Sequence, residues 1–329
     1  PYMLQWSHFV SNNKLTDLLE MRDQAKWADL YLSWYQKGLP LRSLDSLEGR
    51  NSFLFQRWLD HPLQDEYWQS MVPFGKEFAN INIPVLTTTG YYDDDQRGAF
   101  YYYKEHLKYN PKAEHYLLIG PYDHNGGQSE AQESLQGITV DSAAIISINA
   151  VVYQWFDHIF NKKPLPKLLS NKVNFEVMGS NVWRHVGSLE EMNSDTVRYY
   201  LSNVKNKGNV NLLSLAPVKK DTLISQTIDL KDRSDGQTLV DNAIFMFQDT
   251  VLWQSGMMQF ESEKFAKSFT LNGSFCGKLK GTINKKDFDP MMYLYEKKSD
   301  GTYVYLSSFM CRASMNSNRT QRNLLTPGK

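Results

Sequence analysis

The sequence predicts an α/β protein with a helical segment in front of it and a β-rich segment behind. Three changes of texture along the 329 residues carry that expectation. Residues 1–80 space their apolar side chains at helical intervals. Residues 81–194 alternate strand-length apolar runs with helical stretches, and 195–329 break into short strand candidates separated by turns. A chain this long exceeds what one core ordinarily serves, so two or three domains are expected.

In the first segment Leu18, Leu19, Met21, Ala25, Trp27, Leu30, Tyr31 and Trp34 recur at roughly helical spacing. Phe53, Phe55, Trp58 and Leu59 make a second helical stretch that ends at His61-Pro62, because proline disfavours helix in the residue before it. In the middle segment Ile83–Gly90 and His115–Gly120 read as strands closed by glycine, and Lys172–Gly179 as a third. Gly98–Tyr109 is a helix candidate between the first two. Ser142–Asn161 reads as one long helix between the second and third, with Asp141 or Ser142 as its N-cap. Strand–helix–strand–helix–strand predicts a parallel sheet. Further on, 198–201, 267–271, 275–279, 291–295 and 303–306 are strand candidates, with Asn272-Gly273 and Asp300-Gly301 as turns. Many short strands of this kind predict a β-sandwich or jelly roll, and the polar stretch 203–240 predicts long loops.

Composition excludes several classes of function. Lys plus Arg and Asp plus Glu number 36 each, so no net field draws the chain to nucleic acid. No apolar run is long enough to span a bilayer, and the start Pro1-Tyr2-Met3 is unlike a signal peptide. Cys276 and Cys311 form neither a disulfide framework nor a metal motif and read as buried free thiols. No pair of histidines has zinc spacing, and no strand is followed by a dinucleotide or phosphate-loop fingerprint, so no metal and no cofactor is expected. The compartment is not readable.

Catalytic groups of a parallel α/β sheet collect just beyond the carboxyl ends of its strands. Two strand ends here run into polar clusters, Gly90-Tyr91-Tyr92-Asp93-Asp94-Asp95 and Gly120-Pro121-Tyr122-Asp123-His124. An acid after one strand and a histidine after the next is the chain order of the last two members of a hydrolase triad. The plain alternative is that Asp93 and His124 cap helices or make turns. Asp94 and Asp95 read first as a solvated acidic helix start, favoured by the helix dipole, and Asp123 as a turn residue.

Ile83-Pro84-Val85-Leu86 with Gly90-Tyr91-Tyr92-Asp93 resembles a landmark of the cocaine esterase / X-Pro dipeptidyl-peptidase family, Tyr91 standing where Trp is usual. Leu117–His124 is similar to the same family's histidine segment, with Tyr122 for Trp and Asp123 for Thr. His61-Pro62, Asp65 and Tyr67-Trp68 resemble the end of its helical cap. Val177-Met178-Gly179 with Val182-Trp183-Arg184, and Asp287-Phe288-Asp289 with 296–301, resemble later segments. The resemblance implies an α/β fold: the C-terminal part of an α/β-hydrolase domain (81–194) with a helical cap (1–80), followed by an incomplete jelly-roll β-sandwich (195–329). It also implies a serine hydrolase of ester or amide bonds, with Asp93 as triad acid and His124 as base. Small esters, amides or short peptides would be its substrates, and the cap's aromatic residues would shape an acyl pocket. In relatives that hydrolyse α-amino acid esters, carboxylates shortly after the triad acid bind the substrate ammonium; Asp94 and Asp95 occupy such positions.

One landmark departs. The family's glycine-flanked nucleophile serine precedes the cap, and neither Gly-x-Ser-x-Gly nor Gly-x-Ser-x-x-Gly occurs here. The resemblance therefore implies a longer natural protein, with its serine and oxyanion hole upstream, and a chain that as written is inactive. The alternative is a non-catalytic carbohydrate- or partner-binding protein on the same scaffold.

Overall fold

A computed structural model describes residues 2–11, 18–218, 223–241, 246–250, 252 and 257–329; part of the predicted loop region 203–240 thus lies outside the described residues. The chain divides into two compact units. One comprises Pro1–Val72, Gln226–Phe245 and Arg312–Leu325, the other Pro73–Ser225, Met246–Cys311 and Thr326–Lys329.

The first unit is helical where apolar spacing predicts helices: α1 (Tyr2–Ser11), α2 (Leu18–Met21), α3 (Gln24–Lys37), α4 (Leu44–Glu48), α5 (Phe53–Asp60) and α6 (Glu66–Gln69). Local chemistry sets the ends. The Asp23 carboxylate accepts the Lys26 N–H to start α3, and Gly38, left-handed at φ 60°, stops it. Ser52 starts α5 and Asp65 starts α6 in the same way. Leu4, Trp27, Leu30, Leu44 and Phe55 make the core. Beside it the enclosed Glu48 carboxylate meets Lys26 Nζ at 2.7 Å and His8 Nε2 at 3.3 Å. Burial, then the Arg50 charge, holds the His8 imidazole below its usual pKa.

The second unit contains the expected parallel strands. β1 (Val85–Gly90) and β2 (His115–Gly120) pair in parallel along their whole lengths, joined by α7 (Gln96–Tyr109). After β2 come a small hairpin of β3 (Ser134–Leu135) and β4 (Ile138–Thr139), then α8 (Ile148–Asn161), β5 (Val173–Val177) and β6 (Val182–Val186). The sheet order is β1-β2-β5-β6, with β5 parallel to β2 and β6 antiparallel to β5. Leu117, Ile119, Val173, Phe175 and Val177 pack against Tyr103 of α7 on one face, and Trp155 of α8 stands edge-on to Tyr116.

The single helix expected at Ser142–Asn161 is instead two pieces. Ser142–Ala144 is one turn of 3-10 helix, and α8 starts only at Ile148, where the Ser147 hydroxyl accepts the Ala150 N–H. The Asp141 side chain does not cap the turn; its Oδ2 accepts instead from the N–H groups of Gly179 and Asn181 at 2.7 and 3.0 Å. A cap nearer the apolar stretch wins.

A buried pair of imidazoles ties β2 to α7. His106 Nε2 faces the Ile81 carbonyl at 3.0 Å, its Nδ1 faces His115 Nδ1 at 3.0 Å, and His115 Nε2 faces the Thr87 hydroxyl at 2.8 Å. A carbonyl only accepts, so His106 carries its proton on Nε2, His115 donates from Nδ1, and the Thr87 hydroxyl donates to His115 Nε2. Burial, with His106 and Lys172 nearby, pushes the His115 pKa down to about 4.

In the β-rich remainder of this unit, β7 (Tyr200–Lys205), β8 (Asn211–Ser214) and β10 (Phe260–Glu261) form one three-stranded sheet. β9 (Gln248–Asp249), β11 (Met291–Lys297) and β12 (Tyr303–Met310) form another. The strand candidates 267–271 and 275–279 are not strands. Phe269, Leu271 and Leu279 are at least half exposed, and β-propensity expresses itself only where a side chain has a surface to pack on. Both cysteines are free, but Cys276 is exposed and Cys311 half-buried, not buried as the sequence predicts. Among the described residues, no helix is long and apolar enough to cross a membrane.

Candidate active site

The two polar clusters meet because glycines end both strands. Gly90 and Gly120 lie side by side in register, and the ladder runs on past them: Tyr91 N–H to Gly120 O at 2.9 Å, Tyr92 N–H to Tyr122 O at 3.0 Å. Tyr122 folds back over both glycines. A Cβ on Gly90 would stand 1.9 Å from the Tyr122 carbonyl oxygen, and one on Gly120 would stand 2.2 Å from the Tyr122 ring. Only a residue without Cβ fits there. The Gly90→Ala variant should therefore lose about 3 kcal/mol or more of stability, the upper end for overpacking, since the obstructing atom is backbone. Thermal unfolding measures it, and an unchanged midpoint would show that the loop moves freely.

Three tyrosines then pin the loops. Tyr91 donates to the Glu176 carbonyl at 2.7 Å and Tyr122 to the Ala144 carbonyl at 2.8 Å, while Tyr92 stacks on Phe247 with centroids 4.4 Å apart. Burial raises all three phenol pKa values. Next to Tyr92, Asp93 is held from two sides: its Oδ1 accepts the Asp95 N–H at 2.9 Å, and its Oδ2 faces the Thr89 hydroxyl at 3.4 Å.

His124 completes the arrangement. Its Nδ1 lies 3.1 Å from Asp93 Oδ1, at the long end of a normal hydrogen bond. The Asp93 side chain is 8% exposed and that of His124 57%, so an enclosed carboxylate holds a ring that opens to solvent. Asp95 Oδ2 stands 3.4 Å from the same Nδ1, so the second acid turns toward the histidine, whereas Asp94 is exposed and makes no such approach. Asp123 is a turn residue, its Oδ1 accepting the N–H groups of Asn125 and Gly126. Side-chain atoms of Asp93, Asp95 and His124 lie within 4.8 Å of one another, gathered around the Asp93–His124 hydrogen bond and the approach of Asp95 to the same ring.

Sequence reasoning passed over Gln128, Thr89 and Glu176. The Gln128 amide nitrogen reaches His124 Nε2 at 3.1 Å and the His124 carbonyl at 2.9 Å. The one signal for it was its place four residues after the histidine.

Comparisons with known proteins point to one family. The family described as X-Pro dipeptidyl-peptidase (S15 family) matches residues 2–126, a range holding both Asp93 and His124. The X-Pro dipeptidyl-peptidase C-terminal non-catalytic domain matches residues 168–329. No curated protein matches. Among solved structures, a selenomethionine-labelled α-amino acid ester hydrolase aligns with TM-score 0.62 at 16% identity, covering 91% of this chain and 52% of that one. An aminopeptidase from the marine sediment archaeon Thaumarchaeota archaeon aligns with TM-score 0.53 at 15% identity, covering 91% and 51%. The chain thus spans about half the length of these structures, and at such identities the likeness is one of α/β-hydrolase fold. With peptidase and non-catalytic domain matched in that order along the sequence, the chain belongs to the cocaine esterase / X-Pro dipeptidyl-peptidase family.

Proposed function

We propose that this chain supplies the acid and the base of a serine hydrolase that cleaves ester or amide bonds through an acyl-enzyme. The observation that carries the reading is the Asp93–His124 hydrogen bond just beyond two adjacent parallel strands. In this reading His124 Nε2 takes the proton of a serine hydroxyl as its oxygen attacks the substrate carbonyl. Asp93 holds the ring by Nδ1 and stabilises the imidazolium. The imidazolium returns the proton to the leaving alcohol or amine, and water then repeats the sequence to release the acid. The serine would come from the remainder of a longer protein, since no glycine-flanked serine elbow occurs in these 329 residues. Residues 1–80 would serve as its cap, 81–194 as the end of its hydrolase domain and 195–329 as a non-catalytic jelly roll.

Asp95, a carboxylate 3.4 Å from the base, favours substrates with a free α-ammonium, which it would pair with alongside Asp94. The name of one structural neighbour, an α-amino acid ester hydrolase, supports the same class.

A fluorophosphonate probe tests the reading on the natural full-length protein. One serine should label, and the His124→Ala variant should lose the label. A full-length protein in which no serine labels would favour the binding-protein alternative.

A further inference from the structure

We infer that Gln128 is a positioning residue that caps the base. Its amide donates to His124 Nε2, steadies the exposed ring against Asp93, and holds the lone pair that a reacting hydroxyl must later take. The inference rests on the reading of His124 as general base.

The atoms settle who donates. The Gln128 side-chain atom 2.9 Å from the His124 backbone carbonyl must be the amide nitrogen, because a carbonyl oxygen only accepts. The same nitrogen lies 3.1 Å from the ring, so Nε2 is the acceptor and is unprotonated. The ring proton is then on Nδ1, where both facing groups, Asp93 Oδ1 and Asp95 Oδ2, are acceptors. This is the tautomer a general base requires, with its Nε2 lone pair directed away from the acid.

Gln128 is placed by backbone, not by chance. Its own N–H bonds the Asn125 carbonyl at 3.1 Å, the Gly127 N–H bonds the Asp123 carbonyl at 3.0 Å, and the Ile148 N–H bonds the Ser129 carbonyl at 2.8 Å. The turn is thereby tied to the start of α8, and the side chain four residues after His124 comes back over the ring. Without Gln128 the imidazole keeps only its Nδ1 contacts and, being more than half exposed, can swing about them. With Gln128 both edges are held. The hold is reversible, since a neutral hydrogen bond at an exposed site is weak enough for an incoming hydroxyl to displace.

Diethyl pyrocarbonate, which acylates unprotonated imidazole nitrogen, reads the state of Nε2 in this chain without any nucleophile serine. Peptide-resolved rates should show His124 modified about two- to tenfold faster in Gln128→Met than in wild type, the range that loss of one net hydrogen bond supports. Methionine keeps the length of glutamine and removes only the donor. His158, whose Nδ1 faces the Lys163 carbonyl, should be modified at the same rate in both proteins and serves as internal reference. Equal His124 rates in the two proteins, or a change shared by His158, would overturn the inference. The outcome is separable from the hydrolase reading: faster modification in Gln128→Met stands whether or not a serine of the full-length protein labels, and equal rates remove the cap while leaving serine labelling intact.

Discussion

Asp93→Ala is expected, on the proposed triad, to lower the turnover of the longer protein by about ten-thousand-fold, the scale on which removing the acid of a serine triad acts. Two terms are lost together. On the proposed mechanism the ring loses its nearer Nδ1 acceptor at 3.1 Å, and the imidazolium that would form during acyl transfer loses a carboxylate that is enclosed and therefore poorly screened. Asp93→Asn separates them. Both the His124 ring and the Asp95 N–H bond the same oxygen, Oδ1, while the other oxygen faces the Thr89 hydroxyl, which can accept as well as donate. An asparagine can thus set its carbonyl toward His124 and its NH2 toward Thr89, preserving orientation and losing only charge. Its activity should lie between alanine and wild type. Asp95, on the same Nδ1, should partly substitute, so Asp93→Ala/Asp95→Ala falls below Asp93→Ala alone. Steady-state kcat for the four proteins decides it; an Asp93→Ala enzyme within tenfold of wild type would remove Asp93 from the triad.

How much of this was legible differs from residue to residue. The run His115–Gly120 appears as a strand with the bounds its composition predicts, because an apolar run ended by glycine and proline has few other solutions. The loops after β1 and β2 read in sequence as candidate places for chemistry, since catalytic groups of a parallel sheet collect beyond the carboxyl ends of its strands. That Asp93 and His124 touch depends on Tyr122 folding over two glycines, a contact no local pattern encodes. The break before α8 was hidden for a similar reason: Asp141 looks like a cap in sequence, yet its partners Gly179 and Asn181 lie in another turn. Gln128 offered only its place four residues after the histidine, which does not single it out among several polar residues. Glu176 was read only as part of a strand, and the strand is buried on both faces, which forces its carboxyl into the interior.

That carboxyl sets the second large effect. Glu176 is 1% exposed, and its carboxyl faces the Asp141 carboxylate, to which only the protonated acid can donate. Burial first, and the facing Asp141 carboxylate second, push its pKa up to about 8 from an ordinary 4.5. The folded chain therefore binds this proton more tightly than the unfolded one. The associated stability is complete below pH 4.5 and is lost progressively as the pH rises through about 8. The full loss is on the order of 5 kcal/mol at most, from about 1.4 kcal/mol per pKa unit. His115 acts in the opposite sense: its lowered pKa makes stability fall as the pH drops from 6.5 toward about 4. Glutamine at 176 has nearly the shape of the protonated acid and does not titrate. Glu176→Gln should therefore match wild type near pH 5 and exceed it by several kcal/mol near pH 9, with the acid-side loss from His115 unchanged. Urea unfolding at the two pH values measures the difference, and parallel pH profiles for the two proteins would mean that the Glu176 carboxyl reaches water in the folded state.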